Sequence, residues 1–139
     1  MKIKAIALSF TVKEVSLSSH FLQEHFGFLE RWSTEGFAYL FNESIDFPII
    51  FMQKGTEVLP QAIRHQEASG MITAFTVDDI EAELERLSNE DVNISAPLQD
   101  DPWGERLFQV TDPNGIVYQL VQWVEPSDEQ YEGNNPGQW

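Results

Sequence analysis

The chain has 139 residues, 42% of them apolar, enough to build one compact domain or two half-size modules sharing a core. Its 23 acidic against 8 basic residues give a net charge of -15, which repels phosphate backbones and anionic membranes, so neither nucleic acid nor a membrane is an expected partner. Cysteine is absent, which removes disulfides, thiolate metal ligands and cysteine nucleophiles together.

From the N-terminus, Lys2 to Val12 alternates strictly: Ile6, Leu8, Phe10 and Val12 make an apolar face, and Ala5, Ala7, Ser9 and Thr11 a small or weakly polar one. That period of two predicts a strand whose second face borders something other than packed core. Met1-Lys2-Ile3-Lys4 leads straight into it without a signal-peptide layout, and no later run approaches the length of a membrane span; a cytoplasmic chain is expected. Leu17, Phe21, Leu22 and Phe26 then recur at helical spacing, with Ser16 as N-cap and Gly27 as the residue that ends the helix. Three strands are predicted next, Phe28 to Ser33, Phe37 to Asn42 and Phe47 to Gln53, with Pro48 marking an edge or a strand start. Residues 54–69, with Gly55 and Pro60 and little periodicity, read as a connector.

The second half restates the plan. Phe10-Thr11-Val12 returns as Phe75-Thr76-Val77, again at the end of a strand pattern and again before an amphipathic segment, here marked by Ile80, Leu84 and Leu87 and capped by Asp78 or Asp79. Strands at Val92 to Ala96, Arg106 to Thr111 and Ile116 to Val124 follow, the last two joined by the turn Asp112-Pro113-Asn114-Gly115. Residues 125–139 are rich in Gly, Pro and Asn and read as a mobile polar tail. The predicted class is α+β, with two βαβββ modules (3–53 and 70–124) in a single domain, residues 1–124.

Chemistry-bearing residues are sparse. His20 and His25 lie five apart on the first helix, a spacing that splays them, and His65 sits in the connector, so solvated or packing histidines are favoured over a metal cluster. Ser9, Ser16, Ser18 and Ser19 have no partner base and no nucleophile-elbow glycines. Trp103 differs from the other aromatics because Asp-Asp-Pro-Trp-Gly-Glu is a loop sequence. A planar ring beside Asp100, Asp101 and Glu105 suits a flat cationic ligand, although acids beside a loop are more often simply solvated.

The run Pro102-Trp103-Gly104-Glu105-Arg106-Leu107-Phe108-Gln109-Val110-Thr111-Asp112-Pro113-Asn114-Gly115, followed by Tyr118-Gln119-Leu120, resembles the C-terminal signature of the glyoxalase, bleomycin-resistance and extradiol-dioxygenase superfamily, the vicinal oxygen chelate fold. The Pro-Trp-Gly start is most similar to its bleomycin-resistance branch, and the two Phe-Thr-Val junctions match as well. The resemblance implies paired βαβββ modules forming a curled mixed sheet with a cup-shaped cleft, commonly completed in a homodimer. It also implies a metal site built on a histidine from the first strand of each module and a glutamate from the last strand. Those positions are here Ala7, Ile72 and Gln119, and the fourth strand offers only Phe51 or Gln53, so no metal and no cofactor are expected.

A small-molecule-binding protein that sequesters its ligand without chemistry is therefore the leading reading, a flat cationic antibiotic of bleomycin type being the ligand the resemblance suggests. Ligand-binding residues expected from strand parity and family position are Ala7, Ser9, Thr11, Phe51, Gln53, Ile72, Ala74, Trp103, Phe108 and Gln119, with no catalytic residue among them. Two readings stay open beside it. One is an enzyme on the same scaffold, metal-independent or with an atypical metal site, which a carboxylate or histidine converging on Gln119 would favour. The other is a ligand-free structural homodimer, which a cup filled with side chains would favour.

Overall fold

A computed structural model of the chain describes residues 1–133. They fall into two compact units, one made of Met1–Gly70 with the turn Pro113–Ile116, the other of Met71–Asp112 with the chain from Val117 onward. Each unit carries one four-stranded mixed sheet and one long helix.

In the first unit the elements are β1 (Leu8–Val12), α1 (Val15–Phe26), β2 (Leu29–Thr34), β3 (Phe37–Asn42) and β4 (Ile45–Gln53), in the sheet order β1-β4-β3-β2. β1 runs parallel to β4, a pairing that no tight hairpin can join and that the crossover through α1 permits, and the other pairs are antiparallel. Alternation puts Phe10, Val12, Ala38, Leu40, Ile49 and Phe51 on one face, where they are buried with Phe21 and Leu22 of α1. The Phe10 and Phe51 rings stack at 5.9 Å.

Strand β1 is shorter than its sequence pattern. Residues 1–7 belong to no sheet and leave Ile3 and Ile6 exposed, because the ladder with β4 starts only at Leu8 opposite Ile49. Alternation without a partner strand supplies no hydrogen bonds to hold the chain extended. Helix α1 ends as expected, with Gly27 left-handed at φ 68° and its N–H bonded to the Leu22 carbonyl. Its start differs. The N-cap is Glu14, not Ser16, and its side chain makes no capping bond. Instead, the Asn114 side chain accepts from the Glu14 N–H at 3.1 Å, donates to the Glu14 carbonyl at 2.7 Å and donates to Ser18 Oγ at 2.7 Å. Ser18 and Ser19 occupy the buried face of α1, while Leu17, expected there, is exposed.

The second unit repeats the layout with β5 (Ile72–Thr76), α2 (Ile80–Asn89), β6 (Ile94–Asp100), β7 (Glu105–Thr111) and β8 (Val117–Trp123), in the order β5-β8-β7-β6. Asp79 caps α2 by accepting from the Ala82 N–H at 3.1 Å. Ile80 and Leu87, seven residues apart and so on one side of the helix, are buried with Phe108, Val110, Tyr118 and Leu120. β6 starts later and runs further than expected, and as an edge strand with two register shifts it accommodates Pro97.

The connector 54–69 forms neither helix nor strand, but it is held by its own bonds, Gly55 N–H to the Arg64 carbonyl at 2.6 Å and the Arg64 guanidinium to the Leu59 carbonyl. Its end runs beside β1, where Ala68 N–H reaches the Thr11 carbonyl at 2.7 Å. The described part of the tail is docked: Ser127 N–H bonds the Pro102 carbonyl, and a 3-10 turn at Glu129–Tyr131 brings Tyr131 against Trp103. Residues 134–139 of the expected tail lie outside the described residues. Among the described residues no helix is long and apolar enough to cross a membrane.

Candidate functional site

The β6–β7 hairpin closes through Asp101–Gly104. Asp101 N–H bonds the Glu105 carbonyl at 2.8 Å and Gly104 N–H bonds the Asp101 carbonyl at 3.0 Å, with Gly104 at φ 93°, a conformation that favours glycine. This tight turn holds Trp103 outward, 38% exposed, its ring edge-on to Tyr131 at 6.0 Å. The indole Nε1–H donates to Glu105 Oε2 at 2.8 Å. Gln119 Nε2 donates to Glu105 Oε1 at 3.0 Å, and Gln109 Nε2 donates in turn to Gln119 Oε1 at 2.8 Å.

These contacts form one directed chain that ends on a carboxylate. The register pairs Gln109 with Gln119, and Glu105 lies on the same face two pleats along. Helix α2 covers the other face, where Ile80 N–H bonds Gln122 Oε1 and Arg106 bonds Glu81. An ionised carboxylate offers about four acceptor sites. Two are occupied by Trp103 and Gln119, which fix the group in place and leave capacity for a ligand donor. Asp100, expected to flank Trp103, instead accepts from Arg106 Nε at 2.6 Å on the α2 side; Asp100 first, then Glu81, hold the Arg106 pKa above its usual value.

The expected site residues separate into two groups. Ser9, Thr11, Ala74 and Gln119 stand on sheet faces turned away from the helices, and Ile72 lies exposed on β5. Ala7 is exposed just before β1. Phe51 and Phe108 are instead fully buried on the helix-packed faces, and Gln53 shares the Phe51 side, its amide bonded to the Lys13 carbonyl. The reason is strand parity: the parallel register sets Phe51 opposite Phe10, so Ile50 and Met52 share the face of Ser9 and Thr11. On β7, Phe108 pairs with Leu120, and the other face carries Glu105 and Gln109. Sequence reasoning named Glu105 only as a loop acid and missed Gln109. Counting outward from the β7–β8 turn, with Thr111 opposite Val117, would have placed Gln109 beside Gln119.

The corresponding face of the first unit is aromatic. Phe37, Tyr39 and Phe41 of β3 share it with Ile50, Met52 and Trp32, whose ring is 4.9 Å from that of Phe37. The Arg31 guanidinium lies 4.8 Å from the Phe41 ring centre.

The divalent metal implied by the resemblance does not fit these residues. Ala7 and Ile72 carry no donor atom, and the Gln119 amide is neutral, giving its N–H to Glu105 and accepting from Gln109. No group of three or more His, Asp or Glu side chains among the described residues could hold a metal ion. His25 lies edge-on to Phe21 with Glu24 at 3.8 Å.

Two βαβββ units of identical strand order, each with one helix-covered face and one face free of its helix, define a paired-module α+β protein. The chain belongs to the Glyoxalase/Bleomycin resistance protein/Dioxygenase superfamily, whose family model matches residues 2–120. None of the curated protein sequences matches it. Solved structures do. A glyoxalase/bleomycin resistance protein/dioxygenase from Nocardioides is 20% identical, with a TM-score of 0.70 over 100% of this chain and 91% of its own. TnmS3, an antibiotic binding protein from Streptomyces sp. CB03234, is 22% identical, with a TM-score of 0.69 over 89% of this chain and 99% of its own. The fosfomycin resistance protein FosX from Mesorhizobium loti is 17% identical, with a TM-score of 0.64 over 89% and 95%. At these identities the likeness is one of fold.

Proposed function

We propose that this protein binds a small, flat, cationic molecule and sequesters it without metal, the ligand stacking on Trp103 and placing its positive group against Glu105. One observation carries the reading: Trp103 and Gln119 both donate to the Glu105 carboxylate, so an exposed ring and a fixed anion stand side by side. The net charge of -15 adds long-range attraction for cations. A bleomycin-type antibiotic is the ligand class to try first, since the Pro-Trp-Gly start resembles that branch and TnmS3, of like fold, is an antibiotic binding protein.

Calorimetric titration with bleomycin at low and high salt tests it. Trp103→Ala should lose about 1 kcal/mol of binding, the worth of an aromatic stack, which is about fivefold in Kd. Glu105→Gln should lose at least as much and reduce the salt dependence, because the screened charge nearest the ligand is gone. Absence of binding by the unmutated protein would overturn the bleomycin assignment.

The same geometry favours a second reading. A carboxylate does converge on Gln119, and Glu105 stands where a general base would be useful. Conversion of a bound ligand, abolished in Glu105→Gln while binding persists, would move the protein into the enzyme class.

A further inference from the structure

A separate concavity of about 360 Å³ opens in the first unit, at the end of its sheet where β3 turns into β4, with Arg31, Tyr39, Phe41, Asp46, Phe47 and Pro48 in its wall. That volume lies in the range of small-molecule sites, roughly 300 Å³ upward. Arg31 is placed there by an irregularity. The β2–β3 register skips it between Glu30 and Trp32, a bulge of the kind that re-aims a side chain, and its guanidinium packs against Phe41 at 4.8 Å.

The four arginines of the chain divide unequally. Arg64 is bonded to backbone carbonyls, and Arg86 and Arg106 each bridge two carboxylates. Among the described residues Arg31 has only the ring of Phe41. Its position is the more notable because Glu43 and Asp46 also line the concavity and neither pairs with it. A guanidinium held against a ring by its carbon centre still has N–H donors to offer, and its planar fork can receive a carboxylate through two parallel bonds.

We infer that this concavity is a binding site for a planar aromatic monocarboxylate, its ring against Tyr39, Phe41 and Pro48 and its carboxylate on the Arg31 fork. One negative charge is specified because Arg31 is the one basic side chain in the wall, against the two carboxylates of Glu43 and Asp46. The site is independent of the Trp103 and Glu105 reading, and the two can fail separately.

The test is calorimetric titration with 1-naphthoate, using 1-naphthylmethylamine, of like ring system and opposite charge, as control. Naphthoate should bind with submillimolar Kd and the amine at least tenfold more weakly. Arg31→Gln should weaken naphthoate at least tenfold. Arg31→Lys, which keeps the charge and loses the fork, should recover only part of that. Trp103→Ala should leave naphthoate affinity unchanged. Because Arg31 is exposed, its variants should melt with the unmutated protein, and matched circular dichroism melts establish that the fold is intact. Equal or tighter binding of the amine, unchanged naphthoate affinity in Arg31→Gln, or no naphthoate binding by the unmutated protein would each overturn the proposal.

Discussion

Tyr118 shows how one buried side chain sets a pH limit. Its ring is fully buried and stacks with Phe75 at 6.2 Å, and its hydroxyl lies 3.4 Å from Asp112 Oδ2. Burial first, and the neighbouring Asp112 carboxylate second, push its pKa far above the ordinary 10.0. In the unfolded chain the phenol ionises near 10, whereas the folded state keeps its proton, so the unfolded state binds fewer protons there. Folding stability is therefore complete below that pH and falls above it, by about 1.4 kcal/mol per pH unit for one group. Urea melts from pH 8 to 11 should show this slope, and Tyr118→Phe should remove one proton's worth of it; an unchanged slope in the variant would refute the assignment. At the same scale, Trp103 and Phe108 were both read as ligand contacts, and only Trp103 is exposed. Phe108→Ala should cost about 3 to 5 kcal/mol of stability as a core truncation. Trp103→Ala should cost far less, which a pair of thermal melts distinguishes.

The two long helices begin in different ways, and the difference is measurable. Asp79 caps α2 with one local bond, as its position before an amphipathic run suggested. For α1, the three bonds at its first turn come from Asn114, about a hundred residues away in sequence. In the turn Asp112-Pro113-Asn114-Gly115 it is Gly115 that takes φ 85°, and the asparagine serves its side chain to the helix. Asp79→Ala should destabilise by about 1 kcal/mol, the usual loss for a cap. Asn114→Ala should exceed that, because the Glu14 backbone groups and the buried Ser18 hydroxyl lose partners together. Denaturant midpoints of the two variants compare them directly, and a smaller loss at Asn114 would mean that water replaces its bonds without cost.

For the molecule as a whole, the donor set at Ala7, Ile72 and Gln119 leads to an expectation about composition. Elemental analysis of protein purified without chelator should find far less than one zinc, iron, manganese or nickel per chain, and a stoichiometric metal would count against sequestration as the function. Assembly is the other expectation. The edge strands β2 and β5 present Trp32 at 58% and Ile72 at 54% exposure, and proteins cover or pair such edges. A homodimer is expected in sedimentation at micromolar concentration; monomer alone would refute it.

Local chemistry sufficed for the order strand, helix, three strands, stated twice, because each element has its own periodicity and stop signals: alternation in β3, the left-handed Gly27 after α1, and Asp79 before α2. The repeated Phe-Thr-Val marked one strand–helix junction used twice, and in both units the strand that carries it pairs in parallel with the last strand. Which face of β4 and β7 meets the helix was not local. Ile49 to Met52 make β4 apolar on both sides, and β7 sets Leu107 on the face opposite Phe108, so parity depends on the register with β1 and β8, and a slip of one residue exchanges Phe51 for Ile50 and Phe108 for Gln109. The chain of Trp103, Glu105, Gln119 and Gln109 likewise exists only once the β7–β8 ladder sets two glutamines side by side. Sequence by itself determined the order of elements in the two modules; tertiary register decided which residues lie on the sheet faces free of the helices, because sidedness in a sheet belongs to paired strands and not to one.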